Sequence, residues 1–174
     1  MPVQADRSTL MFRIVINADI QRVWRELTKT DEPQQAVFNA RLLTESFEPG
    51  SAMQIRTQSG GNVLVIGKVV EFDPPHRFLH THRFTQHDDP ECRVEYTLKQ
   101  LPDGVEVTLK VTELAPDTAT AKSMQKGGDM ILQTLKVVAE TGWPGFGTRL
   151  IYAALARCEF MLPARTRVQN WPLR

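Results

Sequence analysis

Residues 92–142 read CRVEYTLKQLPDGVEVTLKVTELAPDTATAKSMQKGGDMILQTLKVVAETG, and the fold turns on them. Apolar and polar side chains alternate in the first part: Cys92, Val94, Tyr96 and Leu98 share one face of a strand, and Arg93, Glu95, Thr97 and Lys99 the other. Pro102, Asp103 and Gly104 supply turn chemistry, after which Val105, Val107, Leu109 and Val111 resume the alternation. Past Pro116 the period changes from two to that of a helix. Met124, Gly128, Ile131, Leu135 and Val138 line up on a helix expected over 118–141, and Gly142 stands where a C-terminal cap belongs. A hairpin with one apolar face, followed by a long amphipathic helix, calls for a two-layer arrangement with the helix across the sheet.

The same alternation extends toward the N-terminus. Turn residues at Glu48-Pro49-Gly50, Gly60-Gly61-Asn62, Asp73-Pro74-Pro75 and 87–90 divide the preceding chain into strands expected at 42–47, 52–58, 62–72 and 77–85. With 92–100 and 105–113 this makes six strands whose short connections leave no room for crossover helices, hence an antiparallel meander. A seventh strand is expected at 10–16. Asn17 and Asp19 then start a helix in which Ile20, Val23, Trp24 and Leu27 form one apolar stripe, with Arg22, Arg25 and Glu26 outside it. The stretch 30–38 reads as a second short helix or helical loop.

Hairpin geometry assigns faces. A turn at Asp103-Gly104 sets Leu98 opposite Leu109 and Tyr96 opposite Val111. A turn near Asp88 sets His80 opposite Tyr96, and the two prolines set Val69 opposite His80, Gly67 opposite His82 and Glu71 opposite Phe78. His80 and His82 therefore point inward with Phe78, toward the long helix. There Gly127 and Gly128 give up side-chain bulk at about 1 kcal/mol each relative to alanine, which calls for a close approach or a gap. The ligand-binding residues expected around such a gap are His80, His82, Tyr96, Glu71, Phe78, Val94, Val111, Met124, Gly128 and Ile131.

Length and composition narrow the functional classes. The chain has 174 residues, 41% apolar and 24% charged, with a net charge of +1, which is the balance of a folded domain and excludes a disordered chain or a polyanion binder acting through bulk charge. Cys92 and Cys158 are too few for a disulfide framework, so a reduced, cytoplasmic protein is expected. No stretch reaches the length of apolar residues that spans a membrane. Charge is uneven: residues 148–174 hold five arginines and one acid, net +4, leaving −3 for 1–147. A domain of sheet and helix over 1–142 is thus followed by a basic extension, 143–174. The extension begins with Trp143-Pro144-Gly145-Phe146-Gly147 and continues as a helix expected over 148–162. Its stripe of Leu150, Ala154, Leu155, Cys158 and Leu162 is expected to pack on the domain or on a second copy in a homodimer. The unalternating Val63 to Ile66 run needs cover on both faces, and the extension is the expected cover.

Two stretches carry a family resemblance. Asn17-Ala18-Asp19 running into Arg22-Val23-Trp24-Arg25-Glu26-Leu27-Thr28, and Gly67 to Phe72 followed by Asp73-Pro74-Pro75-His76-Arg77-Phe78-Leu79-His80-Thr81, resemble the START/Bet v 1-like (SRPBCC) superfamily. Within it they are most similar to bacterial proteins related to the C-terminal domain of the activator of the Hsp90 ATPase. The resemblance implies an α+β helix-grip fold, a seven-stranded antiparallel sheet wrapped around a long C-terminal helix with a hydrophobic cavity between them. In place of the tryptophan-rich stretch common after the first helices this chain has Val37-Phe38-Asn39, and in place of an aromatic pair on the fifth strand it has His80 and His82.

His80-x-His82 offers two nitrogens to a metal but needs a third ligand; no metal and no cofactor is expected. Motifs for serine nucleophiles, zinc proteases, P-loops and dinucleotides are missing. Three functions fit. The first is a binding protein for a small hydrophobic or amphipathic molecule, without nucleic acid or integral membrane association. The second is an acid/base enzyme of aromatase/cyclase type using His80, Tyr96 and Glu71 in the same cavity. The third is an Hsp90-type co-chaperone module.

Overall fold

A computed structural model describes residues 8–173; residues 1–7 and Arg174 lie outside it. In chain order the elements are β1 (Ser8–Ile16), α1 (Ile20–Thr28), β2 (Arg41–Thr44), β3 (Ala52–Arg56), β4 (Val63–Asp73), β5 (Arg77–Phe84), β6 (Cys92–Leu101), β7 (Gly104–Leu114), α2 (Ala119–Thr141) and α3 (Phe146–Arg157). The strands form one sheet in the order β1-β7-β6-β5-β4-β3-β2, antiparallel at every pairing. The long helix α2 packs on β1 and β7 and touches α1, which makes the helix grip.

Local chemistry fixes the start of α1 and both ends of α2. Asp19 accepts a hydrogen bond from Gln21 N at 2.8 Å to start α1. Thr118 Oγ1 accepts from Ala121 N at 3.1 Å to start α2, and Asp89 Oδ2 reaches across from the β5–β6 loop to accept from Thr120 N at 2.8 Å. Gly142, at φ 90°, ends α2 by donating its N–H to Val138 O. Leu132, Leu135 and Ala139 of α2 are buried in one cluster with Ile16, Val105, Val107 and Leu109 of the sheet core. Met124 and Ile131 share the expected stripe but are only partly buried.

The two mid-helix glycines do different things. A Cβ on Gly128 would lie 2.3 Å from the Phe12 ring, so the ring of β1 lies flat against bare helix; a Cβ on Gly127 would meet nothing closer than Phe38 Cζ at 3.9 Å. Gly127→Ala is therefore expected to stabilise the protein by about 0.5–1 kcal/mol through helix propensity. Gly128→Ala is expected to cost about 1–3 kcal/mol by forcing Phe12 aside. Urea denaturation of both variants checks the opposite signs.

Several sequence expectations change. The stretch 30–38 is not helical: α1 stops at Thr28, Gln34 bridges Ala40, and Phe38 and Asn39 take left-handed φ values of 54° and 56°. Its order comes from buried polar groups. Glu26, expected outside, is buried; it accepts from Ala36 N at 3.0 Å and pairs with Lys29 Nζ at 2.6 Å, while Gln34 Nε2 donates to Leu27 O. Both hairpins around β6 sit two residues from the expected register, with Tyr96 opposite Leu109, Leu98 opposite Val107, Phe78 opposite Tyr96 and His80 opposite Val94. A shift of two preserves the face, so the inward residues stay inward. Val69 does lie opposite His80, but a bulge between Val69 and Glu71 places Glu71 opposite Leu79 and reverses its parity.

The extension lies on the same domain by its end and its tail. Asn62 bridges Arg167, Val168 N donates to Gly61 O, and Trp171 O accepts from the buried Gln54 Nε2 on the outer side of β3, opposite Ile66. Arg165 pairs with Asp88 at 2.6 Å. The expected dense stripe is not buried: α3 has no buried residue, and Leu150 and Leu155 are exposed. The helix roofs an open space instead of sealing a core.

Candidate functional site

Strand β5 carries a row of rings on its inner face. Phe78, His80, His82 and Phe84 follow at alternate positions with centroids 5.0, 5.8 and 4.9 Å apart. The row continues through Phe72 and Phe47, stacked at 4.1 Å. Between this face and α2 is a cavity of about 430 Å³, within the roughly 300–1,000 Å³ typical of small-molecule sites. His80 and His82 line it with Val94 and Tyr96 of β6, Leu109 and Val111 of β7, and Met124, Gly128 and Ile131 of α2.

Besides the two histidines and Tyr96, polar side chains of Asn39, Thr57, Gln58, Gln86, His87 and Ser123 border it. His80 Nδ1 lies 2.9 Å from Thr81 O. A carbonyl only accepts, so Nδ1 carries the proton, and the neutral ring presents a lone pair at Nε2. His82, 8% exposed, has no hydrogen-bond partner at either ring nitrogen among the described residues. Leaving such a group unpaired costs about 1–3 kcal/mol; neither nitrogen has accessible surface, so a ligand recovers that cost only by turning the ring toward the cavity. Burial pushes the His80 pKa down to about 4, against the opposing pull of the Thr81 hydrogen bond. Burial and the neighbouring His80 hold His82 well below 6.5. Both rings are neutral at pH 7. Burial raises the Tyr96 phenol, so it too is uncharged there.

Eight of the ten expected ligand-binding residues border the cavity, and the other two show how it is bounded. Phe78 is buried behind the wall, against Phe47, Phe72 and His80. Glu71, turned by the bulge, is on the outside and pairs with Arg77 at 2.8 Å, so it is removed from any acid/base role in the cavity. With Glu71 outside and the Cys92 thiol directed at His82 O at 3.4 Å, the His80-x-His82 pair gains no third ligand; among the described residues no group of three metal-capable side chains forms. Burial also drives the Cys92 thiol up to about 11, so it is an inert core group.

The extension supplies residues that the sequence reading missed. Tyr152, Leu155 and Leu162 border the cavity, and Tyr152 Oη donates to Gln35 O at 2.7 Å. Glu159 stands at the mouth, where one carboxylate oxygen accepts from Thr57, from Ser59 at 2.7 Å and from Asn62 at 2.8 Å. Burial opposes its charge, but the three donors outweigh burial and hold its pKa below the ordinary carboxylate value. A single tyrosine among the apolar residues of α3 was the available signal for the roof.

With this geometry in place, comparison with known proteins gives a consistent family. Residues 17–140 match the family model described as Activator of Hsp90 ATPase homolog 1-like protein. The chain belongs to that family. No curated protein matches it. Among solved structures, protein MLL2253 from Mesorhizobium loti is 20% identical over 74% of this chain and 94% of its own, with a TM-score of 0.61. The Aha1 dimer from Colwellia psychrerythraea is 18% identical over 78% of this chain and 98% of its own, at 0.60. CalU16 from Micromonospora echinospora is 18% identical over 88% and 87%, at 0.59. Likeness at this identity shows the fold alone, the helix grip described above. The family match ends at residue 140, whereas Tyr152, Leu155 and Leu162 of the extension also border the cavity.

Proposed function

We propose that this protein binds a small hydrophobic or amphipathic molecule in the cavity between the sheet and α2, with α3 as the roof. The observation that carries the reading is His82: a buried imidazole with both nitrogens unpartnered, on the wall of a 430 Å³ apolar cavity. A group placed only for packing would have been cheaper as leucine or phenylalanine, because apolar burial stabilises where an unpaired polar group costs. Its retention fits a site whose partner arrives with the ligand. His80, His82 and Tyr96 orient the polar end, and Val94, Val111, Met124 and Ile131 hold the apolar body. In this reading 1–142 is the binding domain and 143–174 its cover.

Native mass spectrometry against a panel of aliphatic and aromatic alcohols, amides and acids tests the proposal. One ligand per chain is expected, and it is lost in Ile131→Trp, whose indole fills the cavity. His82→Leu is expected to weaken binding by about tenfold or more while stabilising the unliganded fold by about 1–3 kcal/mol. Uniform failure of the panel, or a His82→Leu protein that is both less stable and fully competent to bind, would overturn the assignment.

A further inference from the structure

Helix α3 has two apolar faces. Thr148, Ile151, Tyr152 and Leu155, at the i, i+3, i+4, i+7 spacing of one face, border the cavity or a small pocket of about 80 Å³ beside it. The opposite face carries Phe146, Leu150, Ala153, Ala154 and Arg157, all exposed, Phe146 by 76% and Leu150 by 56%. Trp143 before the helix and Phe160 and Met161 after it are exposed as well. A helix that is apolar all round is ordinarily buried all round, yet among the described residues nothing covers this outer face. Its charge has one sign. Residues 143–174 contain a single acid, Glu159, and its carboxylate is committed to Thr57, Ser59 and Asn62. Arg149 and Arg157 are exposed and have no ion-pair partner among the described residues.

From this face we infer that the protein docks peripherally on an anionic lipid bilayer, with α3 lying in the headgroup layer, Phe146 and Leu150 entering the acyl boundary and Arg149 and Arg157 on the lipid phosphates. The inference is separate from the cavity, since none of these four residues borders it. Apolar side chains flanked by arginines, with no free carboxylate among them, hold a helix at such an interface, and each arginine near the surface contributes to the attraction. Trp143, at the start of the same face, is of the residue type that settles at headgroup level. A second copy fits this face less well. In a two-fold contact every charge brought across would be positive, so the charged contacts would all repel. A helix of twelve residues is about 18 Å long and about 10 Å across, a footprint of roughly 200 Å², far below the about 800 Å² per partner of a stable dimer.

Co-sedimentation with vesicles of phosphatidylcholine alone, and of an equal mixture of phosphatidylcholine and phosphatidylglycerol, tests the inference. The full chain is expected to bind the mixed vesicles, with a blue shift of Trp143 emission, and to bind phosphatidylcholine at least about tenfold more weakly. Phe146→Ser with Leu150→Ser is expected to weaken binding to the mixed vesicles by about a hundredfold, and Arg149→Gln with Arg157→Gln by about thirtyfold. All four positions are exposed, so the urea midpoints of both variants should stay at the unsubstituted value and the loss of binding is not a loss of fold. No binding to the mixed vesicles, equal binding to both kinds, or binding that survives both pairs of substitutions overturns the inference. So does a dimer at sedimentation equilibrium without lipid that Phe146→Ser with Leu150→Ser dissociates, because a second copy then occupies the face.

Discussion

Lys29→Met is expected to destabilise the protein by about 3–5 kcal/mol, the cost of breaking a buried ion pair from one side. Lys29 and Glu26 meet at 2.6 Å with side chains only 5% and 9% exposed, so removing the ammonium strands a carboxylate away from water. The second acid near Lys29, Glu32, is mostly exposed and gains nothing comparable from the pair. Glu26 also accepts from Ala36 N, and the loop it holds provides Val37, Phe38 and Ala40 of the cavity lining. The loss should thus appear as lower stability and as a disturbed ligand site together. Replacing both partners, Glu26→Gln with Lys29→Met, keeps an acceptor for Ala36 and removes the stranded charge; it is expected to recover most of the loss. Urea denaturation of the single and double variants measures both. A single-variant cost below about 1 kcal/mol would show that the pair is not what orders the loop.

Acid is expected to unfold this protein well before its exposed carboxylates account for it. An unfolded histidine titrates near 6.5, whereas burial in the fold holds His80 down to about 4 and His82 well below 6.5. As pH falls, the unfolded chain takes up protons that the folded chain refuses. Their contribution to stability is complete above about pH 6.5 and is lost progressively toward pH 4, at up to about 1.4 kcal/mol per pH unit for each histidine. Over that window His80 alone accounts for about 3 kcal/mol. His82→Leu should flatten the dependence by close to one proton. Urea midpoints at pH 7.5, 5.5 and 4.5 for both proteins test this; parallel curves would mean that ring 82 is protonated alike in the folded and unfolded states.

Much of the architecture was legible because face depends only on parity. The hairpins of β6 were displaced by two residues, yet Val94, Tyr96, Leu109 and Val111 still face α2. Glu71 escaped the same logic, since one inserted residue in β4 reverses every face beyond it and nothing in Val69-Val70-Glu71 announces a bulge. The stretch after α1 looked helical by composition, but its conformation is set by Glu26, Lys29 and Gln34 folded beneath it. The Glu26–Lys29 spacing of three was in view, but an i,i+3 pair is ordinarily solvent-exposed. For the extension, an apolar stripe reads as core wherever it docks. Only the fold reveals that Tyr152 and Leu155 border a cavity and that Leu150 remains exposed.

The most direct test is long-range ¹H–¹⁵N NMR of the imidazole rings at pH 7 during titration with a compound that native mass spectrometry finds bound. Both rings 80 and 82 should be neutral at the outset, with His80 protonated at Nδ1, and the His82 nitrogens should shift along a single saturable curve that ends at one ligand per chain. An imidazolium signal from either ring at pH 7, or a titration that saturates while the His82 nitrogens stay where they began, would contradict the account.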